Sequence, residues 1–69
     1  MNQLSARDAL EKLKVRILDS IKNTEEVILS AANNGNYLVA ADLRSETWGR
    51  KGIVYMIDEM LDELKTPHQ

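Results

Sequence analysis

The chain has no cysteine and no phenylalanine, and only one proline, one histidine and three glycines among its 69 residues. Lack of cysteine excludes disulfide staples and thiolate metal ligands, and it fits a reducing compartment. The one histidine, His68, directly follows Pro67 and stands next to the C-terminus. A histidine-based metal site or catalytic dyad within one chain is therefore not expected. Long apolar runs are also missing, since none approaches the ~20 residues of a membrane span. The N-terminus lacks the basic region and apolar stretch of a signal peptide. These absences lead to the expectation of a cytoplasmic, non-membrane protein without a cofactor.

Charge of one sign is lacking too. Nine basic residues against eleven acidic ones leave a net charge of −2. Such a balance gives no overall attraction to nucleic acid and leaves room for a local basic patch. The length fits one small domain, and a chain this short buries only about 60% of its unfolded surface. Outside help for the core is expected.

What is present is helical periodicity on both sides of a central turn. The turn is Asn34-Gly35-Asn36-Tyr37. Gly35 can take the left-handed conformation that closes a helix, and Asn36 is a favoured residue to cap the next one. Before the turn, Ala6, Leu10, Leu13, Ile17, Ile21, Ile28 and Ala31 recur at steps of three and four, with Thr24 as the one polar step. Ser5 is a suitable N-cap, and Asp8 stands three residues on. This pattern predicts one helix over residues 5–34, while Asn23-Thr24 allows a break there.

After the turn, Leu38, Ala41, Ser45, Trp48, Gly52, Ile53, Met56, Ile57, Met60 and Leu64 fall on one broad face. They predict a second helix over residues 37–65, ending before Pro67, with a frayed tail at 66–69. Residues 45–52 admit two readings. One is a loop between short helices; the other, preferred because the stripe keeps its phase, is a continuous helix with Ser45, Gly49 and Gly52 as a small-residue seam. A strand over residues 37–43 is the weakest alternative, since it would have no partner strand.

The fold class expected is all-α, a single antiparallel helical hairpin. Folding about Gly35 brings together positions whose numbers sum to about 70, which sets Leu10 near Met60, Leu13 near Ile57, Ile17 near Ile53 and Ile28 near Ala41. It also lays Arg7, Lys12, Lys14 and Arg16 beside Asp58, Glu59, Asp62 and Glu63, and Glu25 and Glu26 near Arg44. Two helices cannot enclose a core, so assembly into a homodimer or larger homo-oligomer, as a four-helix bundle, is expected. Leu10, Leu13, Ile17, Ile21, Ile28, Ile53, Ile57, Met60 and Leu64 are the candidate core or interface residues.

The spacing Gly35-x-Tyr37-x-x-Ala40 resembles the turn between paired helices of tetratricopeptide-type repeats, over one turn and without a repeat of suitable period. The plan of equal antiparallel arms is similar to that of several small plasmid regulators and secretion co-chaperones, in architecture and not in motif.

One stripe has the residue types of a binding surface. Arg44, Trp48, Lys51 and Tyr55 stand at i, i+4, i+7 and i+11, with Arg50 nearby. Aromatic faces can stack a base while Arg and Lys neutralise an anion. The competing reading makes Trp48 an interface or core anchor with basic residues around its rim. Gly49 and Gly52 do not form a phosphate loop, because the motif length and the following Lys-Ser or Lys-Thr are missing. Asp58, Glu59, Asp62 and Glu63 read as a solvated face rather than metal ligands. The function expected is that of a non-enzymatic protein-interaction module of the adaptor, inhibitor, antitoxin or co-chaperone type. The alternative is an oligomeric binder of a nucleotide, another anionic ligand or nucleic acid through Arg44, Trp48, Arg50, Lys51 and Tyr55.

Overall fold

The computed structural model describes residues 5–65, which form two helices, α1 (Ala6–Asn33) and α2 (Tyr37–Lys65). The expected tail at 66–69 lies outside the described residues. Ser5 starts α1 with extended backbone angles, and its hydroxyl oxygen accepts from the Asp8 N–H at 3.1 Å. That bond satisfies one of the donors a first turn leaves unpaired. The helix then runs without a break past Asn23 and Thr24.

The turn is closed by backbone bonds. Asn36 N–H donates to the Ala31 carbonyl at 2.8 Å and Gly35 N–H to the Ala32 carbonyl at 3.1 Å. This is the Schellman pattern, and it requires the residue after the helix cap to be left-handed. Gly35 supplies that conformation at φ 82°. The Asn36 carbonyl then accepts the first bond of α2, from Ala40 at 3.0 Å. No basic residue lies in the last turn of α1 and no acidic one in the first turn of α2. The two helix ends of opposite dipole sign meet at the hinge and compensate each other.

α2 is continuous through residues 45–52, glycines included. Its rotation, however, differs from the expected stripe. The side turned to α1 carries Ala40, Leu43, Thr47, Arg50, Val54, Ile57 and Leu61, each buried or half-buried. Leu38, Trp48, Ile53, Met56, Met60 and Leu64 are exposed. The physical reason is that α2 carries apolar residues on two adjacent stripes. Leu43, Val54, Ile57 and Leu61 carry the one that packs, and the polar members between them find partners inside. The Thr47 hydroxyl donates to the Leu43 carbonyl at 2.9 Å, and Arg50 Nη1 donates to Thr24 Oγ1 at 3.0 Å.

The register shifts as well. Thr24 meets Arg50 and Glu25 meets Lys51, where a fold about Gly35 at a sum of 70 set them near Glu46 and Ser45. Nearer the open end, Lys14 pairs with Asp58 at 2.6 Å, within the expected belt of opposite charge.

The seam between the helices is thin. Ile21, Ile28, Ala31 and Ile57 are its buried apolar residues, with Thr47 the buried polar one, and no side chain among the described residues is completely enclosed. The hairpin measures 54 × 29 × 11 Å with a radius of gyration of 16.1 Å. A compact domain of this length would have a radius of about 11 Å. No helix among the described residues is long and apolar enough to cross a membrane.

Candidate functional site

Successive residues of a helix step by 100°, so burial and cross-helix pairs divide the flat hairpin into two broad faces. The ion pairs Lys14–Asp58 and Lys51–Glu25, which join the helices, lie on one of them. Arg44, Trp48 and Tyr55 from α2 share that face with Leu18 and Leu29 from α1. It is a face of aromatics and charges.

Within it lies a groove of about 380 Å³, lined by Glu25, Ile28, Leu29, Arg44, Thr47, Trp48 and Lys51. The continuity of α2 brings Arg44, Trp48 and Lys51 to one wall. Ile28 and Leu29 form an apolar floor and flank from α1. Lys51 Nζ donates to Glu25 Oε2 at 3.2 Å, with both side chains about half exposed. Solvent screens such a pair, so it orients the two side chains more than it stabilises the fold. Of the two cations in the groove, Arg44 has no hydrogen bond or ion pair among the described residues and keeps its donors available. Trp48 stands four residues on, 71% exposed, beside it on the helix surface.

The structure thus brings together three of the five residues that the sequence marks as a ligand face. Tyr55 continues the stripe towards the open end and is exposed, outside the groove lining. Arg50 turns away. It reaches Thr24 in the seam and Glu46 at 3.6 Å on its own helix, on the side opposite the groove. Trp48 anchors no core within the hairpin, given its exposure. Glu25, Ile28, Leu29 and Thr47 complete the groove and are absent from the sequence-based set. Only the register between the arms could have identified them.

The second face has a different composition. Leu13 and Val27 from α1 and Ile53, Met60 and Leu64 from α2 lie on it, each about half exposed. Met56 stands at its outer edge, more exposed. Among the described residues its charged side chains are Arg16, Asp42 and the Glu46 that Arg50 holds, with Lys12 and Glu63 at its outer edge. Of the expected core or interface residues, Leu10, Ile17, Ile21, Ile28 and Ile57 lie along the seam, and Leu13, Ile53, Met60 and Leu64 lie on this second face. Among the described residues no cluster of three or more His, Asp or Glu side chains is placed to hold a metal ion.

The geometry can grip an anionic or aromatic group between Arg44, Trp48 and Lys51, and it can accept an apolar surface on the opposite side. No protein-family model, curated protein or solved structure matches the chain, so these two faces are the grounds for a functional reading.

Proposed function

We propose that this chain is a small non-enzymatic protein-interaction module, of the adaptor, inhibitor, antitoxin or co-chaperone type, that works as a self-associating helical hairpin. The observation that carries the reading is the unfinished core. Four buried apolar residues across two helices of 28 and 29 residues leave most apolar side chains of the described chain in water. A second helical layer completes such a core, and symmetric self-association is the commonest way to supply one. The exposed remainder of α2 is then the contact surface for a protein partner. Catalysis has little to work with, because the chain lacks cysteine and its one histidine is His68.

The test is the solution mass of the purified chain by light scattering over a range of concentrations, with tryptophan fluorescence on the same samples. A dimer or larger species is expected. A monomer at every concentration overturns the self-associating part of the reading. In that case the missing layer belongs to another protein.

The groove supports a second reading, binding of a nucleotide or other anionic ligand. The supporting observation is that Arg44, Trp48 and Lys51 line one cavity. Titration with a nucleoside triphosphate, followed by Trp48 fluorescence, examines it. Saturable quenching lost in Arg44→Ala and Lys51→Ala, at unchanged oligomer size, supports this reading, and a flat titration removes it.

A further inference from the structure

The two faces of the hairpin are not equally suited to receive another copy. Resting on the self-association reading, we propose that the occupant of the face bearing Leu13, Val27, Ile53, Met60 and Leu64 is a second copy of this chain. The groove beside Trp48 then stays on the outside of the assembly.

Area is the first argument. The face is formed by two helices of 28 and 29 residues. At 1.5 Å per residue and about 10 Å per helix it measures about 42 by 20 Å. That is about 840 Å², close to the ~800 Å² that each partner contributes to a standard stable interface.

Charge decides which face. The aromatic side carries Lys14, Glu25, Lys51 and Asp58 in ion pairs that span the helices, together with the unpaired Arg44. Covering it would desolvate all of them at once, a cost that contacts to apolar side chains do not repay. Among the described residues the opposite side has no ion pair between the helices. The inter-helix polar contact described there, Arg50 to Thr24, is already made within the seam, and Glu46 takes the other end of the guanidinium. Depletion of charge at the centre of a patch is the compositional mark of an interface core.

Gly49 borders this face. A Cβ added there meets nothing within 4 Å, so no contact inside the hairpin demands a glycine in mid-helix. A helix interior pays for glycine in stability. Gly52 is equally open but faces away from this side; at Gly49 the missing side chain would let a helix of a neighbouring copy approach closely. Unbranched Met60, three turns further along α2, and Met56 at the edge can adapt to a surface that is the same on both partners.

The experiment uses the full chain. Ile53→Glu and Met60→Glu are measured by light scattering and circular dichroism against Trp48→Ala and Tyr55→Ala. Each glutamate is expected to weaken association by at least about tenfold, from the cost of burying an unpaired carboxylate. The aromatic variants are expected to leave it unchanged. Loss of helicity in a glutamate variant is handled by a second measurement. The native chain has no cysteine, so only an introduced thiol can react with a short bifunctional thiol reagent. Met60→Cys is expected to link into covalent dimers, and Tyr55→Cys is not.

A native chain that stays monomeric at every concentration overturns both the self-association reading and this proposal. A native dimer that withstands the glutamates but dissociates in the aromatic variants, or that links through Tyr55→Cys and not Met60→Cys, overturns the choice of face alone.

Discussion

The two faces of this hairpin are built from the same two helices and meet along the same seam, yet they solve opposite problems. On the aromatic side, Lys14–Asp58 and Glu25–Lys51 tie α1 to α2 through charges that stay in water. On the methionine side the helices meet through side chains that water does not stabilise, with Arg50 and Thr24 as the polar crossing. The contrast teaches that amphipathicity in a two-helix protein is a property of the pair. Each helix alone has more apolar surface than its partner can cover. The excess of both stripes, Leu13 and Val27 from one and Ile53, Met60 and Leu64 from the other, ends up on a common side.

Variants can break or sharpen this contrast. The largest effect is expected where both faces depend on the same residue. Ile57→Ala removes buried volume at the seam and should cost about 2–3 kcal/mol in urea denaturation, the low end for such a truncation because the core is thin. A loss confined to association, with an unchanged midpoint for the isolated hairpin, would mean that the seam is not the shared element. Next is Arg50→Ala, which removes the crossing on the methionine side. It should cost about 1 kcal/mol, the scale of one hydrogen bond to a charged donor in a half-exposed site. Loss of the Lys14 charge in Lys14→Ala should cost less than about 1 kcal/mol and fade with added salt, because exposed pairs are screened. A salt-independent loss of more than that would place the Lys14–Asp58 pair in a drier setting than its exposure indicates.

Smallest, and informative by sign, are the glycines. Gly52 points away from α1 and from both faces, so Gly52→Ala should stabilise by up to about 1 kcal/mol. Gly49→Ala should gain less, since its new methyl group stands at the border of the methionine face. Equal gains at the two positions, measured at a concentration where the native chain associates, would show that nothing approaches Gly49.

Much of this architecture is readable in the residues. Ser5, the run from Leu10 to Ala31, the Asn34-Gly35-Asn36 turn and the phase kept across residues 45–52 all point to two helices and a hinge, because each signal is local. The rotation of α2 was not readable for a matching reason. The stripe ending in Met60 and Leu64 looks as apolar as the one carrying Leu43, Val54, Ile57 and Leu61, and periodicity cannot choose between two stripes on one helix. The choice falls to the hinge geometry and to polar residues that close their own bonds. Thr47 is the clearest case. It is 2% exposed, and its hydroxyl is satisfied one turn back, which no apolar pattern can foresee. The groove was legible in part, through Arg44, Trp48 and Lys51, which lie on one element. Its α1 wall required the register.

The Gly35 turn has a consequence for how the chain reaches this shape. In a hairpin folded at one point, the sequence separation of facing residues grows steadily with distance from the bend. Ala31 and Ala40 lie on opposite arms close to the bend, while Lys14 and Asp58 enclose most of the chain. Loop closure becomes costlier with each added residue, by about 0.6 kcal/mol per doubling. Folding is therefore expected to begin at the Schellman turn and to close like a zipper towards the ends. The part that closes last holds Leu13, Met60 and Leu64, so joining a second copy would act as the clasp.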